Sequence, residues 1–156
     1  MAPSVKTVEL PLVEDTEEFG RKLGEVVRAG DLVLLAGPLG AGKTAFVRGL
    51  ARGMGVRGRV SSPTFVVARV HEPEQEGGVR LVHVDAYRLG GHLDELDDLD
   101  LDTELVDAVV AVEWGEGVAE RLNEDHLLIR LERGIDDVRT AQLVPHGEWA
   151  DRTLPV

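Results

Sequence analysis

Apolar side chains recur along this chain with two alternating spacings. Between Glu14 and Arg28 they fall at Phe19, Leu23, Val26 and Val27, the spacing of an amphipathic helix. Asp15 or Thr16 is expected to cap that helix, and Gly30 to follow its end. Leu32-Val33-Leu34-Leu35-Ala36 is a short unbroken apolar run, the pattern of a strand buried on both faces. After a glycine-rich turn, Val47, Leu50, Ala51 and Met54 restore helical spacing from Thr44 to Met54, with Gly53 and Gly55 expected to stop the helix.

Further on, Ser61-Ser62-Pro63-Thr64 reads as a loop, because the residue before a proline is pushed to extended geometry. Phe65 to Val70 is the next predicted strand, Glu72 to Gly78 an exposed turn, and Val79 to Val84 another strand. An acid-rich stretch with Leu93, Leu96, Leu101 and Leu105 predicts a loop and a helix, followed by a buried strand at Val109-Val110-Ala111-Val112. His126 to Leu131 and Arg139 to Val144 read as a closing strand pair. Strands interleaved with helices predict an α/β fold, a mostly parallel or mixed central sheet with helices on its faces. The strand-only second half favours the mixed form. At 156 residues the chain is expected to form one domain, residues 1–156.

Composition narrows the chemistry. Cysteine is absent, which excludes disulfides, thiolate metal sites and cysteine nucleophiles. No apolar run approaches the ~18 residues of a membrane span. Met1-Ala2-Pro3-Ser4-Val5-Lys6 lacks the apolar core of a secretory leader, so a cytoplasmic protein with no membrane partner is expected. The net charge of −12 argues against a surface that grips nucleic acid all over. Its distribution is uneven. From Leu32 to His71 there is no acid, while Lys43, Arg48, Arg52, Arg57, Arg59 and Arg69 all fall there, as expected around a bound polyanion. From Asp94 to Asp107 there are eight acids and no base, the pattern of a solvated face.

The segment Gly37-Pro38-Leu39-Gly40-Ala41-Gly42-Lys43-Thr44 matches G-x-x-x-x-G-K-[ST]. Glycines let such a loop curl until several backbone N–H groups point at phosphate oxygens. The Lys43 ammonium is expected to reach the β- and γ-phosphates, and the Thr44 hydroxyl to ligate Mg²⁺. A buried strand before it and an amphipathic helix after it are the context this motif demands. Two carboxylates, Asp85 and Glu113, end later strands. If those strands run parallel to 32–36, both acids arrive beside the loop, since ligands in open α/β sheets bind beyond the carboxyl ends of the strands. One acid would then hold Mg²⁺ and the other orient or deprotonate water. His83, Asp85 and Tyr87 alternate and so share a strand face. His83 reads equally as a satisfied core histidine or as part of the site. Ser62 and Thr64 are hydroxyls where nucleotide switches place γ-phosphate sensors, Arg88 is a candidate phosphate or partner contact, and Trp114 is a candidate wall of the site.

The ordered set of Gly37 to Thr44, Ser62-Pro-Thr-Phe65, His83-Val-Asp-Ala-Tyr-Arg88 and Glu113-Trp114 resembles the TsaE family (older name YjeE), small bacterial P-loop ATPases needed for N6-threonylcarbamoyladenosine in tRNA. The likeness extends from about Val8 to Trp114 and more weakly into the last strands. It implies a P-loop NTPase-like ATPase with ATP and Mg²⁺ as its cofactors, slow alone, acting on a complex of TsaD and TsaB and meeting tRNA through that complex. By match to the motifs, Lys43 and Thr44 become the phosphate and Mg²⁺ residues, Asp85 and Glu113 the metal and water-handling acids, and Thr64 the switch hydroxyl. Thr16 matches an N-terminal Thr-x-x-x-Gly pattern near the nucleotide base, and Arg139 resembles a late arginine of the family. The chain departs from the pattern at Leu99-Asp100-Leu101, where the family carries a central glycine.

Other readings use the same loop. A small-metabolite kinase needs a mobile lid rich in arginines, and no arginine cluster follows the acid-rich stretch. A GTPase of the familiar type carries Asn-Lys-x-Asp, which does not occur here. A pure nucleotide-binding scaffold has little use for a second acid.

Overall fold

The computed structural model describes residues 5–38, 41–58, 68–85, 104–113, 123–136 and 138–155. In chain order its elements are β1 (Lys6–Leu10), α1 (Val13–Val26), β2 (Leu32–Ala36), α2 (Lys43–Met54), β3 (Ala68–His71), β4 (Arg80–Asp85), β5 (Ala108–Glu113), β6 (His126–Arg133), β7 (Arg139–His146) and a 3₁₀ turn (Gly147–Asp151). The described strands form one seven-stranded sheet in the order β1-β7-β6-β2-β5-β4-β3. β6, β2, β5 and β4 run parallel, while β7, β1 and β3 join through antiparallel pairings. The sheet is therefore mixed. Its parallel centre consists of the strands with the longest apolar runs, β2 and β5 being buried at every residue.

Side chains alternate between two cores. Val33, Leu35, Leu81, Val109, Ala111, Leu127 and Ile129 pack in one cluster with Phe19 and Leu23 of α1 and with Phe46, Val47 and Leu50 of α2. Leu32, Leu34, Val82, Val84, Val110 and Val112 form the other, with Leu105 against them. Both described helices thus lie on one face. The acid-rich stretch from Asp94 to Asp102 lies outside the described residues; beyond it, Glu104 and Asp107 pair with Arg80 at 2.5 and 2.7 Å.

Several local expectations change. α1 starts after Leu12, and Asp15 does not precede the helix; it sits inside the first turn, where its carboxylate accepts the Leu12 N–H at 2.9 Å. Thr16 is no cap but a fully buried helical residue. The helix ends at Val26, where Val27 turns extended, two residues short of Arg28. Gly55, in the left-handed region at φ 71°, does close α2, whereas Gly53 stays helical. β1, which the pattern did not announce, adds to β7 at the sheet edge. It is short, and its first three side chains are at best half-buried, so it lacks the apolar run that reveals an inner strand.

Gly53 has a different task. A Cβ there would drive into the carbonyl oxygen of Arg21, and one on Gly49 into that of Glu17. From the other helix, a Cβ on Gly20 would meet the backbone of Phe46 and Leu50, and one on Gly24 that of Leu50 and Gly53. The helices therefore touch backbone to backbone along a pair of four-residue glycine spacings, with Phe19 edge-on to Phe46 at 5.6 Å. This closeness determines where α1 delivers Thr16.

In a free helix, replacing glycine with alanine is worth about 1 kcal/mol of stability. Gly49→Ala is expected to reverse that sign, lowering stability by about 1–3 kcal/mol as an overpacked contact does. Denaturant unfolding of the two chains reads the difference.

Candidate functional site

The turn after β2 is built for closeness. Gly37 sits at φ 142°, and a Cβ on it would run into the carbonyl oxygen of Leu131 on β6. Only glycine lets the chain pass there. Ala41 donates its N–H to the Pro38 carbonyl at 3.2 Å, and Gly42, at φ 104°, leads into α2. The first bond of α2 runs from the Phe46 N–H to the Gly42 carbonyl at 2.9 Å. The N–H groups before Phe46 have no partner within the helix, α2 has no side-chain cap, and its first turn holds no acid. An anion is what such a helix start accepts.

Lys43 lies in the first turn and is only 5% exposed. Its ammonium donates to the carbonyls of Gly37 and Pro38 at 2.7 and 2.9 Å, curling back along the loop. Burial pushes the Lys43 pKa below its ordinary value, and the carboxylates of Glu113 and Asp85 pull it back up. Both acids are thus close enough for the ammonium to feel them. Thr44 follows, half-buried, at the same helix start.

The parallel register delivers the acids. Asp85 stands opposite Glu113 across β4 and β5, and Glu113 stands opposite Leu35, two residues before the turn. They are 6% and 4% exposed, among the few buried carboxylates of the described chain. The sequence-based condition, strands parallel to 32–36, is met. Two carboxylates and a hydroxyl are hard oxygen donors that suit Mg²⁺ when phosphate oxygens and water complete its shell. Among the described residues no three His, Asp or Glu side chains gather closely enough to hold a metal ion by themselves.

Two distant residues meet the turn from the other side. A Cβ on Gly42 would stand 3.4 Å from the Thr16 methyl and from Arg139 Cδ, and 3.6 Å from Arg139 Nε. Thr16 is carried there by α1 and Arg139 by the first position of β7. The Thr16 hydroxyl and Arg139 Nε are both buried without a hydrogen-bond partner among the described residues. Polar atoms left open beside an anion cradle fit a polar ligand there. The structure thus brings together Thr16, Gly37, Pro38, Ala41, Gly42, Lys43, Thr44, Asp85, Glu113 and Arg139. Leu39, Gly40, Thr64 and Trp114, with Ser62, Tyr87 and Arg88, lie outside the described residues.

The basic stretch is less devoted to an anion than its sequence suggested. Arg48 and Arg52 project from α2 towards Glu17 of α1, at 3.2 and 3.6 Å. They serve the helix pair, and of the described basic residues from 43 to 57 only Lys43 is at the loop. One contact went unforeseen: the buried His83 ring reaches the Glu113 carboxylate through Nε2. The alternation of His83 and Asp85 placed the ring on the right face, but only the strand register reveals its partner.

Comparison with known proteins agrees with this geometry. A family model described as "Threonylcarbamoyl adenosine biosynthesis protein TsaE" matches residues 10–141. A protein of Streptomyces coelicolor called "tRNA threonylcarbamoyladenosine biosynthesis protein TsaE" is 56% identical over 144 residues, 89% of this chain and 97% of that protein. A protein of the same name from Mycobacterium tuberculosis is 58% identical over 132 residues, 81% of this chain and 79% of that protein. The crystal structure of Bacillus subtilis YdiB superposes with a TM-score of 0.79 at 27% identity, covering 97% of this chain and 92% of that one.

The unpartnered Thr16 hydroxyl generates a two-sided expectation. Thr16→Val removes a buried polar atom that bonds nothing in the ligand-free chain, so the melting temperature holds or rises. Affinity for a nucleoside triphosphate falls by up to about tenfold, the worth of one hydrogen bond. Thermal melting and nucleotide titration of the same preparation check both halves.

Proposed function

The chain belongs to the TsaE family, and from that premise we propose that it is a Mg²⁺-dependent ATPase of tRNA threonylcarbamoyladenosine biosynthesis that acts on a complex of TsaD and TsaB. The observation that carries this reading is the pair of buried carboxylates, Asp85 and Glu113, held side by side beside the Lys43 cradle. A cradle alone explains binding. A second acid within reach of the same phosphates supplies what hydrolysis needs.

The backbone N–H groups at the start of α2 bind the phosphates, and the Lys43 ammonium exchanges loop carbonyls for phosphate oxygens. Triphosphate charge beside Lys43 favours its protonated form, reversing the effect of burial. Thr44, Asp85 and Glu113 would hold Mg²⁺, which when bound neutralises charge on the phosphate oxygens. Glu113 orients the attacking water and accepts its proton. Thr16 and Arg139, on the far side of Gly42, contact the nucleoside end. Arg48 and Arg52 of α2 pair with Glu17, and the reading has tRNA met through the complex.

Hydrolysis of Mg²⁺–ATP by the purified chain, alone and with TsaD and TsaB, tests the proposal. Slow turnover that rises with the partners is expected. Lys43→Ala is expected to weaken ATP binding, and Glu113→Gln to lower turnover by about 10²-fold or more while binding survives. No response to the partners, with phosphate passed to a small hydroxyl acceptor, would make the protein a kinase on the same loop. Unchanged ATP affinity in Lys43→Ala would remove the cradle itself.

A further inference from the structure

We infer that His83 is a positioning residue for Glu113: its Nε2–H holds one carboxylate oxygen, Oε2, and thereby keeps the other oxygen directed at the phosphate cradle. The inference rests on the reading of Glu113 as a metal and water-handling acid, and adds to it the part of the chain that orients that acid.

Strand register supplies the contact. His83 pairs with Ala111, and Glu113 lies two residues further along β5, so ring and carboxylate are diagonal neighbours on one face of a parallel pair. Asp85, two residues past His83, shares that face and stands directly opposite Glu113. Two like charges directly opposite repel, and that repulsion would turn a long glutamate side chain away from its neighbour. The fully buried ring sits against the glutamate and bonds it through Nε2.

Among the described residues the ring makes no other hydrogen bond. Nδ1 is buried and has no hydrogen-bond partner among the described residues. A carboxylate oxygen accepts, so the proton between them belongs to Nε2. All of its described hydrogen bonding is with this acid. Carboxylates that ligate metals are held in this manner by outer hydrogen bonds, and losing such a bond typically costs about 10–100-fold in metal affinity.

The two amides of similar chemistry separate this role from mere core filling. Glutamine at position 83 places its side-chain N–H about where Nε2 stands, whereas asparagine places it near Nδ1, away from Glu113. Mn²⁺ affinity of the full chain, saturated with a non-hydrolysable ATP analogue, is measured by electron paramagnetic resonance for the parent, His83→Gln, His83→Asn and Glu113→Gln. Analogue binding in EDTA shows that each chain retains its fold and cradle. The expected result is a loss of about tenfold or more in Mn²⁺ affinity for His83→Asn, with His83→Gln close to the parent. Equal affinities in the two amide variants, whether both kept or both lost, would overturn the inference. An unchanged affinity in Glu113→Gln would instead overturn the metal assignment of Glu113 on which it rests.

Discussion

Four side chains from three elements meet in a place that water barely reaches: Lys43 at the start of α2, Asp85 and His83 on β4, and Glu113 on β5. Buried charges are costly unless they are paired and hydrogen-bonded. The ammonium answers two carboxylates, and the imidazole answers one of them. The cluster therefore depends on the register of β2, β5 and β4, which brings its members together. A slip of one residue in β5 would turn Glu113 to the opposite face and replace it with an apolar neighbour.

Around this cluster the rest of the fold acts as delivery. Glycines at 20, 24, 49 and 53 let α1 and α2 touch backbone to backbone, which sets Thr16 against Gly42. The β6–β7 hairpin returns the chain so that Arg139, the first residue of β7, lies over the same glycine. A turn between strand and helix thereby gains contacts from both ends of the sequence. Arg48 and Arg52 join the helix pair through Glu17, whereas the Lys43 ammonium turns back to the loop carbonyls.

Much of this was legible in the sequence. The run Leu32 to Ala36, the glycine turn and the helix behind it are local signals, and residue type alone carries them. Asp85 and Glu113 were placed at strand ends by the apolar runs before them, whereas the parallel direction that unites them was a condition that the strand pairing meets. What was illegible depends on contacts between distant segments. Gly53 reads as a helix stop unless one knows that Arg21 presses against it. Asp15 reads as a cap until the helix start at Leu12 puts its carboxylate inside the first turn. β1 has too few buried positions to announce itself, and the bond from His83 to Glu113 needs the register of two strands separated by more than twenty residues of chain.

The central claim is that Thr44, Asp85 and Glu113 converge on a metal ion shared with phosphates at the start of α2. A crystal grown with Mn²⁺ and a non-hydrolysable ATP analogue tests it directly through the anomalous signal of the metal. The account predicts one strong peak between the Thr44 hydroxyl, the two carboxylates and the terminal phosphates, with the phosphate chain against the N–H groups before Phe46. A metal peak away from both acids, or a nucleotide bound elsewhere on the sheet, would contradict it.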